Sequence, residues 1–127
     1  MRVFDSSVWI ALFVDSDVHH ARALDALEKV DDAVYIPYIV VEETASLLTY
    51  RESKALADKF LTFISNDARM VIVDSTARRD IDIFLKTRKR MSFADISIMT
   101  FASSMRFDLV TFDKQMEREF RKATRSI

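Results

Sequence analysis

The stretch MRVFDSSVWIALF, residues 1–13, decides how the chain folds. Val3 and Phe4 read as a strand, and Val8, Trp9, Ile10, Leu12 and Phe13 read as a buried helix. Asp5 stands where one becomes the other. An unpaired carboxylate is costly beside so much apolar surface, so the position needs a backbone cap, a cation or a metal. A strand that feeds directly into a helix is the opening of an α/β unit. Outward from there, short apolar runs keep alternating with longer helical ones.

Strands are expected at Arg2–Phe4, Val34–Ile36, Met70–Val73 and Leu109–Thr111. Helices are expected at Ser6–Phe13, Val18–Val30, Pro37–Tyr50, Ser53–Ser65, Thr76–Arg88, Ser92–Met105 and Lys114–Lys122. Asp17 is expected to cap the second helix, with Ala21, Leu24 and Leu27 along its inner face. Pro37 suits the first turn of the third. The chain contains no glycine, and Asn66 is its one asparagine, so two-residue hairpin turns are disfavoured. The pattern therefore predicts a parallel sheet covered on both faces, in one domain spanning 1–127. Ligands of such sheets bind beyond the carboxyl ends of the strands, where strand order reverses. Asp5 and Asp113 both follow strands and fall at that edge.

Composition narrows the function. The chain has 127 residues, half of them hydrophobic, with ten Phe and a net charge of −1. That balance gives no global attraction to nucleic acid or anionic membrane, so such binding would use a local patch. The absence of cysteine removes disulfides and thiolate zinc sites. The absence of glycine removes the glycine-rich phosphate loops. The apolar run 8–14 is too short to span a bilayer, and a cytoplasmic protein with no membrane partner is expected. Trp9 and the phenylalanines fit a core, and His19 and His20 fit the surface.

Four carboxylates carry the chemistry. Asp5 and Asp113 each precede a helix and could simply cap it. Asp95 lies in SFADISIMTFA, where Ser92 and Asp95 fit a capping box, yet it shares a helical stripe with Met91, Ile98, Met99 and Ala102. In PYIVVEETASLLTY, Glu43 shares a stripe with Ile39, Val40, Leu47 and Tyr50, while Glu42 lies on the more polar side. Glu43 is mid-helix, so its alternative role is a salt bridge. Four converging acids cannot all ionise without compensation. An all-oxygen set suits Mg²⁺ or Mn²⁺ better than zinc. Two such ions about 4 Å apart can activate water and stabilise a leaving oxygen in phosphodiester hydrolysis.

These stretches resemble the PIN-domain nucleases, especially the toxin ribonucleases of VapBC toxin–antitoxin pairs. VFDSSVWIALF is similar to the family's first strand, IPYIVVEETASLL to its Pro-initiated acidic helix, SFADISIMTFA to its third acidic motif and LVTFDK to its fourth. The order and spacing agree along nearly the whole chain. The resemblance implies a three-layer α/β/α sandwich with four to five parallel strands and a metal-dependent endoribonuclease activity. It assigns Asp5, Glu43, Asp95 and Asp113 as catalytic and metal-binding acids, with Ser7 and Thr111 supporting them. It also implies a homodimer and an antitoxin that sets a basic residue among the acids. Two departures stand out: Ile96 occupies a position where the family often has Ala, and FRKATRSI reads as helix or tail where the family has a last strand.

Two basic clusters remain. Lys86, Arg88, Lys89 and Arg90 precede the Ser92 helix and are candidate contacts for RNA phosphates, or else a solvated face. Arg118, Arg121, Lys122 and Arg125 form a second cluster, diluted by Glu117 and Glu119. A phosphoacceptor receiver domain has a similar size, and Asp74 and Lys114 stand near strand ends as it requires, but Asp5 lacks its paired acid. A DxDx phosphatase would need an acid where Ser7 stands. A catalytically idle PIN-like interaction module is the remaining alternative.

Overall fold

The first strand and helix form as the sequence dictates. In the computed structural model, which describes residues 1–74 and 77–125, β1 (Arg2–Phe4) runs straight into α1 (Ser6–Phe13). Asp5 is the N-cap: its backbone is extended and its side chain accepts from the Val8 amide. The following elements are α2 (His20–Glu28), β2 (Val34–Pro37), α3 (Tyr38–Arg51), α4 (Lys54–Asn66) and β3 (Met70–Val73). Then come α5 (Ala77–Lys86), α6 (Phe93–Met105), β4 (Asp108–Val110) and α7 (Lys114–Arg125). Ser53 and Ser92 cap α4 and α6, accepting from the Leu56 and Asp95 amides.

The four strands form one sheet in the order β3-β2-β1-β4, and every pairing is parallel. The chain steps outward from β1 through β2 to β3, then returns to place β4 on the other side of β1. Strand order therefore reverses between β1 and β4. Their register sets Val3 against Leu109 and Phe4 against Val110. The Asp5 amide extends the ladder by donating to the Val110 carbonyl.

Helices flank this sheet. Trp9 is fully buried and touches the rings of Phe4, Phe60 and Phe63, with centroids 5.4, 5.5 and 6.3 Å away. This aromatic cluster fixes α1 and α4 on β1. On the other side of the chain's path, α6 contacts β1, β4, α5 and α7. Helices α3 and α6, which carry Glu43 and Asp95, pack directly against each other.

Several local expectations shift. Helix α2 begins at His20 rather than Val18, because the Asp17 side chain and carbonyl take the His19 and His20 amides in a preceding turn. Its buried residue is Ala23, whereas Ala21 and Leu24 are exposed. Ala23 sits where α1 and α2 touch, and close helix approach favours a small side chain there. Tyr50 is 88% exposed, since α3 ends one residue later and the chain turns into α4. Strand β4 starts and stops one residue earlier than expected, which leaves Thr111 free of the ladder. The sheet has four strands among the described residues, and the C-terminal segment is the helix α7 through Arg125. Of the Thr76–Arg88 helix, Ala77–Lys86 is observed and Thr76 lies outside the described residues.

Candidate active site

Beyond the carboxyl ends of β1 and β4 lies an open cavity of about 440 Å³ whose lining includes all four sequence-selected acids. Each arrives on its own element: Asp5 at the end of β1, Glu43 on α3, Asp95 in the first turn of α6 and Asp113 ahead of α7. Asp5 is buried, Glu43 and Asp95 are half-buried, and Asp113 is exposed.

Hydroxyl groups hold this arrangement. Ser7 Oγ donates to Asp5 Oδ1 at 2.6 Å, and Thr111 Oγ1 donates to Asp5 Oδ2 at 2.5 Å. Both hydroxyls also accept: Ser7 from the Phe112 amide and Thr111 from the Asp113 amide. Two side chains thus tie the end of β1 to the loop after β4. Ser6 Oγ donates to Glu43 Oε1 and orients the α3 acid from α1. Ser6 was not singled out in the sequence. The DSS motif marks it, but only the approach of α3 to α1 distinguishes its partner from that of Ser7.

Three of the acids occupy helix N-termini. Asp5 caps α1, Asp113 caps α7 by accepting from the Met116 amide at 3.0 Å, and Asp95 lies in the first turn of α6. The capping alternative therefore describes the local structure at Asp5 and Asp113, whereas at α6 the cap is Ser92, which accepts from the Asp95 amide. These caps do not compete with a shared site, because the same helix ends offer partial positive charge to clustered carboxylates. The electrostatics still record the crowding. Burial pushes the Asp5 carboxyl above the ordinary carboxylate range against its three hydrogen bonds, and Asp113 adds to the rise. Burial likewise raises Asp95, opposed by the Ser92 hydroxyl and reinforced by Asp113, Glu43 and Asp5. Asp95 thus senses the other three acids.

Among the described residues, no group of three or more Asp, Glu or His side chains stands close enough to hold a metal ion without adjustment. The chemistry of the donors fits a hard cation nonetheless, since the four acids line one cavity with no sulfur among them.

The basic run sits elsewhere. None of Lys86, Arg88, Lys89 and Arg90 lines the acidic cavity. Lys89 pairs with Glu119, and Arg88 donates to the Leu85 carbonyl. Asp74 lines a separate small cavity with Asp80 and Ser97, away from the four acids. The cations and rings that do line or border the acidic cavity were not foreseen. Arg51, in the last turn of α3, and His19, just before α2, are both lining residues. The His19 ring packs on Phe112 at 4.7 Å between centroids.

The model of the family described as PIN domain matches residues 2–120. The chain belongs to the PIN domain family. The PIN fold is equally evident in solved structures. The crystal structure of VapC20 from Mycobacterium tuberculosis, described as a sarcin–ricin loop cleaving toxin, is similar with a TM-score of 0.84 at 19% identity. That likeness covers 94% of this chain and 95% of VapC20. VapBC2 from Rickettsia felis, bound to a DNA fragment from its promoter, gives 0.67 at 16% identity over 92% of this chain and 91% of that one. At such identities the likeness is one of fold. No curated protein sequence matches the chain. No helix among the described residues is long and apolar enough to cross a membrane.

Proposed function

We propose that this PIN domain protein is a metal-dependent endoribonuclease that hydrolyses RNA phosphodiester bonds, and that it acts as the toxin of a toxin–antitoxin pair in the cytoplasm. One observation carries the reading: four carboxylates from four separate elements line one cavity at the point where strand order reverses. A surface capping role for each acid separately would give no reason for all four to line one cavity.

Asp5, Glu43, Asp95 and Asp113 would hold Mg²⁺ or Mn²⁺. Bound there, the metal would neutralise the scissile phosphate and lower the pKa of an attacking water. The protein's own part is placement. Ser7 and Thr111 fix both oxygens of Asp5, leaving its remaining lone pairs directed by a rigid β1–α1 junction. Ser6 fixes one oxygen of Glu43 and leaves the other available. Asp113 is exposed and adjusts to the ligand, while its backbone is held through Thr111. Lys86, Arg88, Lys89 and Arg90 precede the helix that carries Asp95, and we assign them to outer contacts with the RNA strand. Partner proteins belong to the same reading. Ile81, Phe84 and Leu85 are exposed on α5, with Phe93 beside Phe84. They give a second copy of the chain an apolar surface, and an antitoxin would offer a basic side chain to the acids.

The test is cleavage of a mixed-sequence, labelled single-stranded RNA with Mg²⁺, Mn²⁺ or EDTA, beside Asp5→Asn and Asp95→Asn. Metal-dependent cutting that disappears in both variants is the expected result. Metal binding with no cutting of any RNA supplied would favour the idle interaction module. Equal cutting in EDTA would overturn the metal role.

A further inference from the structure

An acidic cavity repels the polyanion it is proposed to cut, so cations must hold the strand on either side. The structure supplies two at the cavity's margins. Arg51 lines the cavity from the end of α3, on the same side of that helix as Glu43 and Leu47, about two turns and ~12 Å along the axis from Glu43. Arg22 stands on α2 at the other side. Its guanidinium lies 4.7 Å above the Phe112 ring, and Nη1 donates to His19 Nδ1 at 3.4 Å. Phe112 lines both the acidic cavity and a neighbouring groove of about 270 Å³ that includes Arg22 and Arg121. Phe112 is therefore the ridge between the two.

Position at the acidic cavity and on the Phe112 ring, rather than pairing, distinguishes these cations. Lys29, Lys54, Arg69, Lys89, Arg121 and Lys122 each have a carboxylate partner. Among the described residues, neither Arg22 nor Arg51 has one. Arg22 is instead positioned by an imidazole and an aromatic face, contacts that orient the guanidinium without neutralising its charge.

Building on the nuclease reading, we infer that single-stranded RNA crosses the acidic cavity between two arginines. Arg51 holds a phosphate on the α3 side, and Arg22 holds one beyond the Phe112 ridge. The His19–Phe112 stack acts by positioning Arg22. The scissile phosphate lies between them, over the acids.

Binding of a short labelled single-stranded RNA to Asp95→Asn protein in Mg²⁺, followed by fluorescence anisotropy across a salt series, tests this directly. Arg22→Ala and Arg51→Ala are each expected to weaken binding about tenfold, with near-additive loss in the double variant. Each should also flatten the log–log salt dependence by about 0.7. Phe112→Leu should weaken binding in the presence of Arg22 and add little in the Arg22→Ala background. Lys29→Ala, on the opposite edge of the sheet, should bind as the parent does. Thermal midpoints of the arginine variants should match the parent, since both side chains are exposed. Unchanged affinity and slope in either arginine variant would overturn the two-ended path, while cleavage by the wild-type chain would leave the nuclease reading intact. Failure to bind and to cleave RNA would overturn both.

Discussion

Two hydroxyls hold the Asp5 carboxylate, one on each oxygen. The carboxylate is 4% exposed and accepts from Ser7, Thr111 and the Val8 amide. Thr111→Val keeps shape and volume but removes a donor to Asp5 and an acceptor for the Asp113 amide. Leaving such groups unsatisfied costs ~1–3 kcal/mol. Denaturant unfolding should show a loss in that range, and RNA cleavage should fall at least tenfold. Unchanged stability would mean that the bonds are not made in solution. At this scale the sequence was informative where a residue contradicted its surroundings. Glu43, mid-helix on an apolar stripe, and Asp95, a capping residue on a buried stripe, both stood out. Ser6 and Ser7 are neighbours of one type, and nothing local says that one serves Glu43 and the other Asp5. Arg51, His19 and Arg22 were silent because exposed cations and imidazoles are common, and only the meeting of α2, α3 and the loop after β4 gives these a shared margin.

Most elements were legible from their apolar runs, including β3, whose Val71 and Ile72 are exposed. The strands and the helices α1, α4 and α6 follow their apolar patterns, and Ser53 and Ser92 start helices as their positions imply. Helix α2 was harder: Leu24 is more hydrophobic than Ala23, yet Ala23 is the buried residue and Leu24 is 41% exposed. The missing glycines also leave a mark at this scale. Helix α6 ends at Arg106, whose φ of 57° is the one positive value among the described non-glycine residues. A left-handed helix end is the conformation that glycine adopts without steric cost. Arg106→Gly is therefore expected to stabilise the protein by ~0.5–1 kcal/mol, read as a higher midpoint in thermal unfolding. An unchanged or lower midpoint would show that the arginine side chain more than offsets its backbone conformation.

For the whole molecule, the clustered acids set a pH signature. Asp5 and Asp95 have carboxyls raised above the ordinary value of 3.8. The native state therefore holds protons that the unfolded chain has released, and metal-free stability falls as pH climbs from 3.8 through their folded values. Asp32 and Asp67 are lowered, the first by hydrogen bonds from the N-terminal amine and the second by Arg69, and their contribution is lost as pH drops below 3.8. The two pairs give slopes of opposite sign that meet near that value. Asp95→Asn removes part of the high-pH slope. At pH 7 without metal its midpoint should exceed wild type by about 1–3 °C, the effect of ~0.5 kcal/mol of relieved repulsion between partly exposed charges. Added Mg²⁺ should narrow the gap by stabilising wild type, and equal midpoints without metal would refute the repulsion. The parallel topology was readable because a chain without glycine has few ways to turn a hairpin; the cavity's margins were not, because they depend on where four loops meet. One consequence concerns the protein's own synthesis. Asp5 and the Thr111 hydroxyl that completes its setting are 106 residues apart. The first strand leaves the ribosome 106 residues ahead of the hydroxyl that settles its acid. On the nuclease reading proposed above, a growing chain therefore carries an incomplete setting for its first acid until Thr111 has been made.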